Sequence, residues 1–250
     1  MSTTAIPEPR IILPDTSLCA IVRDEIMNPA GGVVDFVDST LPYVEAGVIV
    51  DTGSKDGTRE ALEEMKSKYS HLEVYDTKFQ GFAHARNYSL KQAKTKRALV
   101  LDADERLTKN DFQDLGIQVD RYPKDGFNFE FLFIDTKGSK WHGSGLNPRL
   151  FHRTKIRFER EIWEFRKKRD FEYVIRPIGI EIKHFVPDEY SLDLKKTMFY
   201  RGVTNYTKEF ECDNCGQKVR NWIKNNMKPR REFDFFQELR KYNPKREEYR

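Results

Sequence analysis

The first hundred residues alternate between short apolar runs and stretches in which apolar side chains recur at helical spacing. Residues 17–22 (SLCAIV), 47–50 (GVIV), 72–75 (LEVY) and 98–101 (ALVL) have strand length without clean polar alternation, which predicts parallel strands buried on both faces. Between them, Val33, Phe36, Val37 and Leu41 share one helical face, and Ala61, Leu62, Met65 and Tyr69 share another. Residues 82–94 make a third helix. Ser54 and Asp56, ahead of Gly57 and Thr58, are candidate caps for the second. The resulting βαβαβαβ order predicts right-handed crossovers and a parallel sheet with helices on its faces.

Beyond Asp104 the period changes. Phe127, Phe129, Phe131 and Phe133 alternate with Asn128, Glu130, Leu132 and Ile134, which predicts a strand with one aromatic face. Ile178, Ile180 and Ile182 alternate with Gly179, Glu181 and Lys183 in the same way. Both read as antiparallel or mixed-sheet additions. From Ser191 onward the chain turns helical and basic, with aromatics at Phe199, Tyr200, Tyr206, Trp222, Phe233, Phe235 and Phe236. The absence of repeats and low-complexity linkers predicts one α/β domain, 1–190, with a C-terminal helical, basic extension, 191–250.

Composition supports a core of that size. The 250 residues are 34% charged with a mean hydropathy of −0.74, yet 18 Phe and 11 Tyr supply the buriable surface that a solvated chain lacks. Nothing approaches the roughly 18 apolar residues of a membrane span. The first sixteen residues, with Pro7, Glu8, Pro9, Arg10 and Pro14, lack a signal-peptide apolar region. Three cysteines exclude a disulfide framework, and Cys212-x-x-Cys215 has no second ligand pair at zinc-finger spacing. The expectation is a soluble, cytoplasmic protein, with peripheral attachment to a membrane left open.

The net charge of +4 conceals an asymmetry. Residues 1–137 hold 17 Lys and Arg against 23 Asp and Glu, a balance of −6, and the remainder holds 27 against 17, a balance of +10. Carboxylates for a cation in front and cations for an anionic ligand or acceptor behind would explain the split.

In an open parallel sheet, ligands bind beyond the carboxyl ends of the strands. Those ends carry Arg23-Asp24-Glu25, Asp51-Thr52-Gly53-Ser54 and Asp102-Ala103-Asp104-Glu105, three clusters that should converge on one crevice. Carboxylates at a strand end suit a hard divalent cation, Mg2+ or Mn2+, shared with substrate phosphate oxygens. That combination points to a nucleotide-diphosphate site.

The stretches 50–58 (VDTGSKDGT), 79–87 (FQGFAHARN) and 101–108 (LDADERLT), in this order, resemble the family 2 glycosyltransferases of GT-A fold, and among them the lipopolysaccharide-core sugar transferases. The resemblance implies a GT-A (Rossmann-like) sheet with a nucleotide-sugar half, about 15–108, and an acceptor half, about 109–190. It implies that Asp51 bonds the base, usually uracil, that Val22, Arg23 and Glu25 line the nucleoside, and that Arg86 approaches the nucleotide. Asp104 becomes the direct metal ligand of the D-x-D element, with Asp102 on ribose or metal and His184 completing the metal or diphosphate shell. Residues 149–153 (RLFHR) and 157–164 (RFEREIWE) are similar to the family stretch ending in Ile-His-Glu, whose final Glu is the general base. Here that is Glu164, behind Trp163 in place of His, with Glu161 as the second candidate. Arg23-Asp24-Glu25 replaces the commoner Lys-Asn-Glu, and Asn28-Pro29-Ala30-Gly31-Gly32 looks like an insertion. By proximity in sequence, Trp141, His142 and Arg149 are candidate acceptor or diphosphate contacts.

The implied activity is a metal-dependent, inverting transfer of a sugar from a nucleotide-diphosphate donor, UDP-sugar in the leading reading, to a hydroxyl of a glycan acceptor that the basic half would suit if anionic. Three alternatives stand beside it. One is a sugar-nucleotidyltransferase, disfavoured by the acidic, glycine-poor loop after the first strand. Another is a glycosyltransferase acting on nucleic acid or protein, and the third a non-enzymatic nucleic-acid-binding protein using the basic, aromatic-bearing tail.

Overall fold

Successive residues of the first strand, β1 (Leu13–Val22), feed different cores: Leu18, Ala20 and Val22 join one buried cluster, and Cys19 joins the other. A strand that packs on both faces has no polar side to alternate, which is why its second half, residues 18–22, is an unbroken apolar run. The computed structural model describes residues 11–26, 28, 30–135, 138–143, 147–159, 165–168, 173–174 and 177–185. The expected extension, 191–250, with Cys212 and Cys215, lies outside the described residues.

Four parallel strands stand in the order β3 (Leu72–Asp76), β2 (Val44–Asp51), β1 and β4 (Arg97–Val100). The chain runs outward from β1 to β3 and then returns to the other side of β1 as β4, so β1 and β4 flank a topological switch point. The first cluster takes Val33, Phe36 and Val37 of α1 (Gly32–Thr40) and Leu62 and Met65 of α2 (Thr58–Lys68). The second takes Ala83 and Leu90 of α3 (Phe82–Gln92).

The helix starts differ in part from the sequence expectation. Gly57, in left-handed conformation at φ 96°, is the N-cap of α2, while Asp56 Oδ1 accepts the N–H of Thr58, the first helical residue, at 2.9 Å. Asp56 thus closes the helix start from one position further back and also serves the loop after β1, its Oδ2 accepting the Ile26 N–H at 3.0 Å, whereas Ser54 Oγ accepts only the Asp24 N–H there, at 3.0 Å. After the two-residue strand β5 (Glu105–Arg106) comes α4 (Lys109–Arg121), a helix outside the expected set although Phe112, Leu115 and Val119 recur at helical spacing on its buried face. Its start is a reciprocal capping box, Thr108 with Asp111.

The rest of the sheet is mixed, as the change of period implied. β6 (Gly126–Ile134) carries the four phenylalanines, and β8 (Asn147–His152) lies antiparallel between β4 and β6. β7 (Lys140–His142) pairs antiparallel with the far end of β6. β9 (Ile156–Glu159) and β10 (Phe165–Lys168) form a separate antiparallel pair, and β11 (Tyr173–Val174) runs parallel to β6. β12 (Glu181–Phe185) runs parallel to β6 and antiparallel to β5. It is shorter than the alternation suggested. Ile178 sits in a turn, 78% exposed, where Gly179 takes φ 74° and the Gln118 side chain brackets the Ile178 N–H and C=O.

Candidate active site

The carboxyl ends of β1 and β2 are laced together by loop contacts. Val22 pairs in register with Asp51, and its carbonyl accepts both the N–H and the hydroxyl of Thr52, each at 3.0 Å. Asp24, at φ 55°, accepts the Lys55 N–H at 2.7 Å, and the Glu25 N–H reaches Thr58 Oγ1 at 2.7 Å. Burial pushes the Asp24 carboxyl up from its ordinary value, against the Lys55 bond. Arg23, by contrast, is half exposed above this loop.

Asp51 is the polar centre of the crevice. It is 2% exposed, and its Oδ1 accepts the N–H groups of Gly53 at 2.6 Å and Ser54 at 2.7 Å. Its Oδ2 is buried with no hydrogen-bond partner. A buried acceptor left unpaired is costly, so one aimed at a strand end implies a ligand donor.

Three carboxylates, two arginines and a histidine meet beyond β4. Asp102 Oδ1 lies 2.6 Å from Arg86 Nη2, and Asp102 Oδ2 lies 3.5 Å from Arg149 Nη2. Arg86 comes from α3 with its guanidinium over the Phe158 ring. Arg149 is the unpaired residue of a bulge in β8, where Leu150 faces Phe127 and Pro148 faces Asn128. A bulge of this kind re-aims a side chain. Arg149 thereby lies over the Phe131 ring and bonds Glu105 Oε1, while its Nε and Nη1 are buried without hydrogen-bond partners.

Charge decides the protonation pattern of this cluster. Desolvation works against the Asp102 anion, but Arg86 and Arg149 outweigh it and hold the carboxyl well below its usual range. Glu105 is fully buried, and desolvation pushes its carboxyl up despite Arg149, with the Asp102 charge adding to the rise. Burial alone would depress His184, yet Glu105, Asp104 and Asp102 together raise it and favour the imidazolium. His184 Nδ1 lies 3.6 Å from Glu105 Oε1, and its Nε2 lies 3.8 Å from Asp104 Oδ2.

Two groups that sequence reasoning missed hold this turn in place. Asn28, within the stretch that looked like an insertion, is 5% exposed. Its Nδ2 donates to Ala103 O at 2.9 Å and Glu25 Oε2 at 3.1 Å, and its Oδ1 accepts the Ala30 and Gly32 N–H groups at 3.0 Å. Arg106 donates to the carbonyls of Ala103, Glu105, Ala30 and Gly32. The Asn-Pro pair next to glycines was the available signal, since Asn satisfies local backbone groups in tight turns.

Of the predicted residues, Val22, Arg23, Glu25 and Asp51 gather at the carboxyl ends of β1 and β2 and Arg86, Asp102, Asp104 and His184 gather beyond β4, with Asn28 joining the two groups through Glu25 and the Ala103 carbonyl. The two candidate bases, Glu161 and Glu164, lie outside the described residues. They belong to the segment joining β9 to β10, and β9 is fixed beside Arg86: Asn87 on α3 bonds both the N–H and the C=O of Phe158, at 2.9 and 2.8 Å.

Among the described residues no group of three or more His, Cys, Asp or Glu forms a metal cage. Asp104 and His184, facing each other, are a two-ligand set for a Mg2+ or Mn2+ ion that takes its other oxygens from substrate phosphate and water, provided that the ion displaces the His184 proton. Asp102, expected among the metal ligands, has both its oxygens opposite guanidinium groups.

Residues 39–176 match the family model described as glycosyl transferase family 2, just over half of the chain. A TPR repeat-containing protein of Synechococcus elongatus is 32% identical over 148 residues, which cover 59% of this chain and 34% of that protein. The chain thus spans about a third of that relative's length. Residues 1–349 of S. aureus TarS in complex with UDP superpose with a TM-score of 0.51 at 15% identity, covering 85% of this chain and 75% of that one. The same protein in complex with UDP-GlcNAc gives a TM-score of 0.53 at 15% identity, covering 85% and 76%. At that identity the likeness is one of fold: a GT-A sheet with its flanking helices.

Proposed function

The chain belongs to glycosyl transferase family 2, and on that premise we propose that it transfers a sugar from a nucleotide-diphosphate donor, with UDP as the nucleotide, to a hydroxyl of a glycan. Family membership makes it a glycosyltransferase enzyme, so neither the non-enzymatic nucleic-acid binder nor the nucleotidyltransferase is retained.

The observation that carries the donor reading is the unpartnered, buried Oδ2 of Asp51 at the carboxyl end of β2. A uracil N3–H is the donor that suits a lone carboxylate oxygen there, and TarS, which shares the fold, binds UDP and UDP-GlcNAc. Val22, Arg23 and Glu25 line the nucleoside, and Asp102, fixed by Arg86, meets the ribose side. Asp104 with His184 holds Mn2+ or Mg2+ against the diphosphate. When bound, that ion neutralises charge that develops on the leaving diphosphate.

The chain's own residues supply the rest. Arg86 and Arg149 fix the Asp102 anion, and Asn28 and Arg106 keep the turn from Asp102 to Asp104 in shape, so these groups need little rearrangement as the donor binds. An inverting transfer needs a carboxylate to take the acceptor proton as the sugar leaves. Glu164 is assigned that role, with Glu161 as the second candidate, because their segment leaves the strand that Asn87 ties beside Arg86.

In this reading about residues 15–108 serve mainly the donor and about 109–190 the acceptor, with 191–250 an added basic extension. The acceptor is a glycan, and an anionic one suits the +10 balance of the back half. Among the described residues no helix is long and apolar enough to cross a membrane.

A thermal-shift panel of nucleotides and nucleotide sugars, with and without Mn2+, tests the proposal because ligand binding to the native state raises the melting temperature by mass action. UDP and one UDP-sugar should stabilise the protein only with metal. Stabilisation by no nucleotide would overturn it.

A further inference from the structure

Trp141, Phe133, His184 and Glu105 lie in one row across four adjacent strands. Trp141 of β7 pairs with Phe133 of β6, Phe133 with His184 of β12, and His184 with Glu105 of β5. Because directly opposed residues in a sheet share a face, the row runs from the sheet margin into the carboxylate cluster. The rings are in contact along it. Trp141 and Phe133 are nearly parallel, 12° apart with centroids at 5.7 Å, and the His184 ring lies 5.0 Å from Phe133. Trp141 ends the row on an edge strand whose outer side pairs with no described strand. One face of its indole is covered by Phe133, and the residue is 46% exposed.

An exposed tryptophan held rigid by a stacked neighbour costs little ordering entropy when it binds a ligand, which is why such side chains serve as anchors. Its neighbours specify what kind. Lys140 and His142 project from the other face of the sheet, where His142 Nε2 meets Glu181 Oε1 at 2.8 Å, so the polar groups on the Trp141 face are those at the inner end of the row, His184 and Glu105. A flat apolar surface with hydrogen-bonding groups at one end fits a ligand with an apolar face and a polar rim. A pyranose ring has that form: C–H groups on one face and hydroxyls around the edge. A lipid chain would need a wider apolar patch than one indole provides.

We propose that Trp141 is an acceptor-binding and specificity-determining residue, on which a pyranose ring of the acceptor glycan stacks. The inference rests on the glycosyltransferase reading given above and deepens it. Two strand spacings, about 10 Å, separate Trp141 from His184 along the row. The platform therefore holds a sugar near the reacting hydroxyl without touching the nucleotide. Gly143 belongs to the same construction: a Cβ there would come within 2.8 Å of the Phe133 ring, so only glycine lets the chain leave β7 against the stack.

The test uses the full chain as wild type, Trp141→Phe and Trp141→Ala. Each is assayed for UDP binding by thermal shift with Mn2+, and for capture on an array of immobilised pyranose glycans with UDP and Mn2+ present. All three proteins should bind UDP alike. Trp141→Ala should lose about tenfold or more in affinity for the glycans the wild type captures, and Trp141→Phe should retain most of it. Unchanged glycan binding in Trp141→Ala, or a wild type that binds UDP but no pyranose glycan, overturns the platform alone. A wild type that binds no nucleotide overturns the donor reading on which it rests.

Discussion

Arg86 Nη2 lies 2.6 Å from Asp102 Oδ1, with Arg86 4% exposed beneath the strand end. That contact divides labour within the D-x-D element. Asp102 is neutralised by protein cations, whereas Asp104 faces His184. A carboxylate held by guanidinium groups is a poor competitor for a further cation, so the two aspartates should respond differently to substitution.

Asp104→Ala is therefore expected to abolish the metal dependence of UDP binding and to weaken it by about a hundredfold, the upper end of what one lost ligand contact costs. Asp102→Asn should keep a metal dependence while lowering affinity by about tenfold or less. Titrations of UDP at fixed Mn2+ and after chelation distinguish them. Equal loss in both variants would contradict the division.

Asn28→Ala leaves the Ala30 and Gly32 N–H groups without their side-chain acceptor and the Ala103 carbonyl with Arg106 as its remaining side-chain donor. Stranding buried backbone groups costs about 2–3 kcal/mol. Urea unfolding should show a loss of that size at unchanged slope. A change below about 0.5 kcal/mol, the range of ordinary surface substitutions, would contradict the clamp.

Glu164→Gln should leave UDP binding intact and reduce transfer by about a hundredfold or more, the contribution of a positioned general base. Steady-state rates with a glycan acceptor, beside UDP titration, check it. If transfer survives in Glu164→Gln and falls in Glu161→Gln, the base is Glu161.

Cys19 is fully buried, and desolvation pushes its thiol up to about 12, so it stays protonated at any working pH. Peptide mapping after maleimide treatment at pH 8 should find Cys19 unmodified in the folded protein and modified in urea. Rapid labelling of the folded protein at Cys19 would contradict the packing of β1.

The parallel half of the fold was legible because β1, β2 and β4 carry apolar runs buried on both faces toward their carboxyl ends, from which the strand-end acids follow, whereas β3, expected to be buried alike, is a half-buried edge strand with Glu73 in its middle. The start of α2 was legible in part: Asp56 does accept the first helical N–H, that of Thr58, but Ser54 spends its hydroxyl on the loop after β1, and Gly57 takes the N-cap position by its positive φ. α4 was missed although Thr108 and Asp111 mark its start. Arg149 owes its aim to a β-bulge, a one-residue register slip with no sequence signature, so proximity in sequence could suggest its role but not how it reaches Asp102 and Glu105. The row that ends on Trp141 depends on pairing between strands distant in the chain, which periodicity within one strand does not reveal.

Calorimetric titration of UDP into the wild type and Asp51→Ala, each with Mn2+ and with chelator, bears most directly on the central claim. The wild type should bind UDP more tightly than ADP or GDP and only with metal, and Asp51→Ala should lose the preference for uracil along with most of the affinity. Metal-independent binding, or an Asp51→Ala protein that still prefers UDP, would contradict the account.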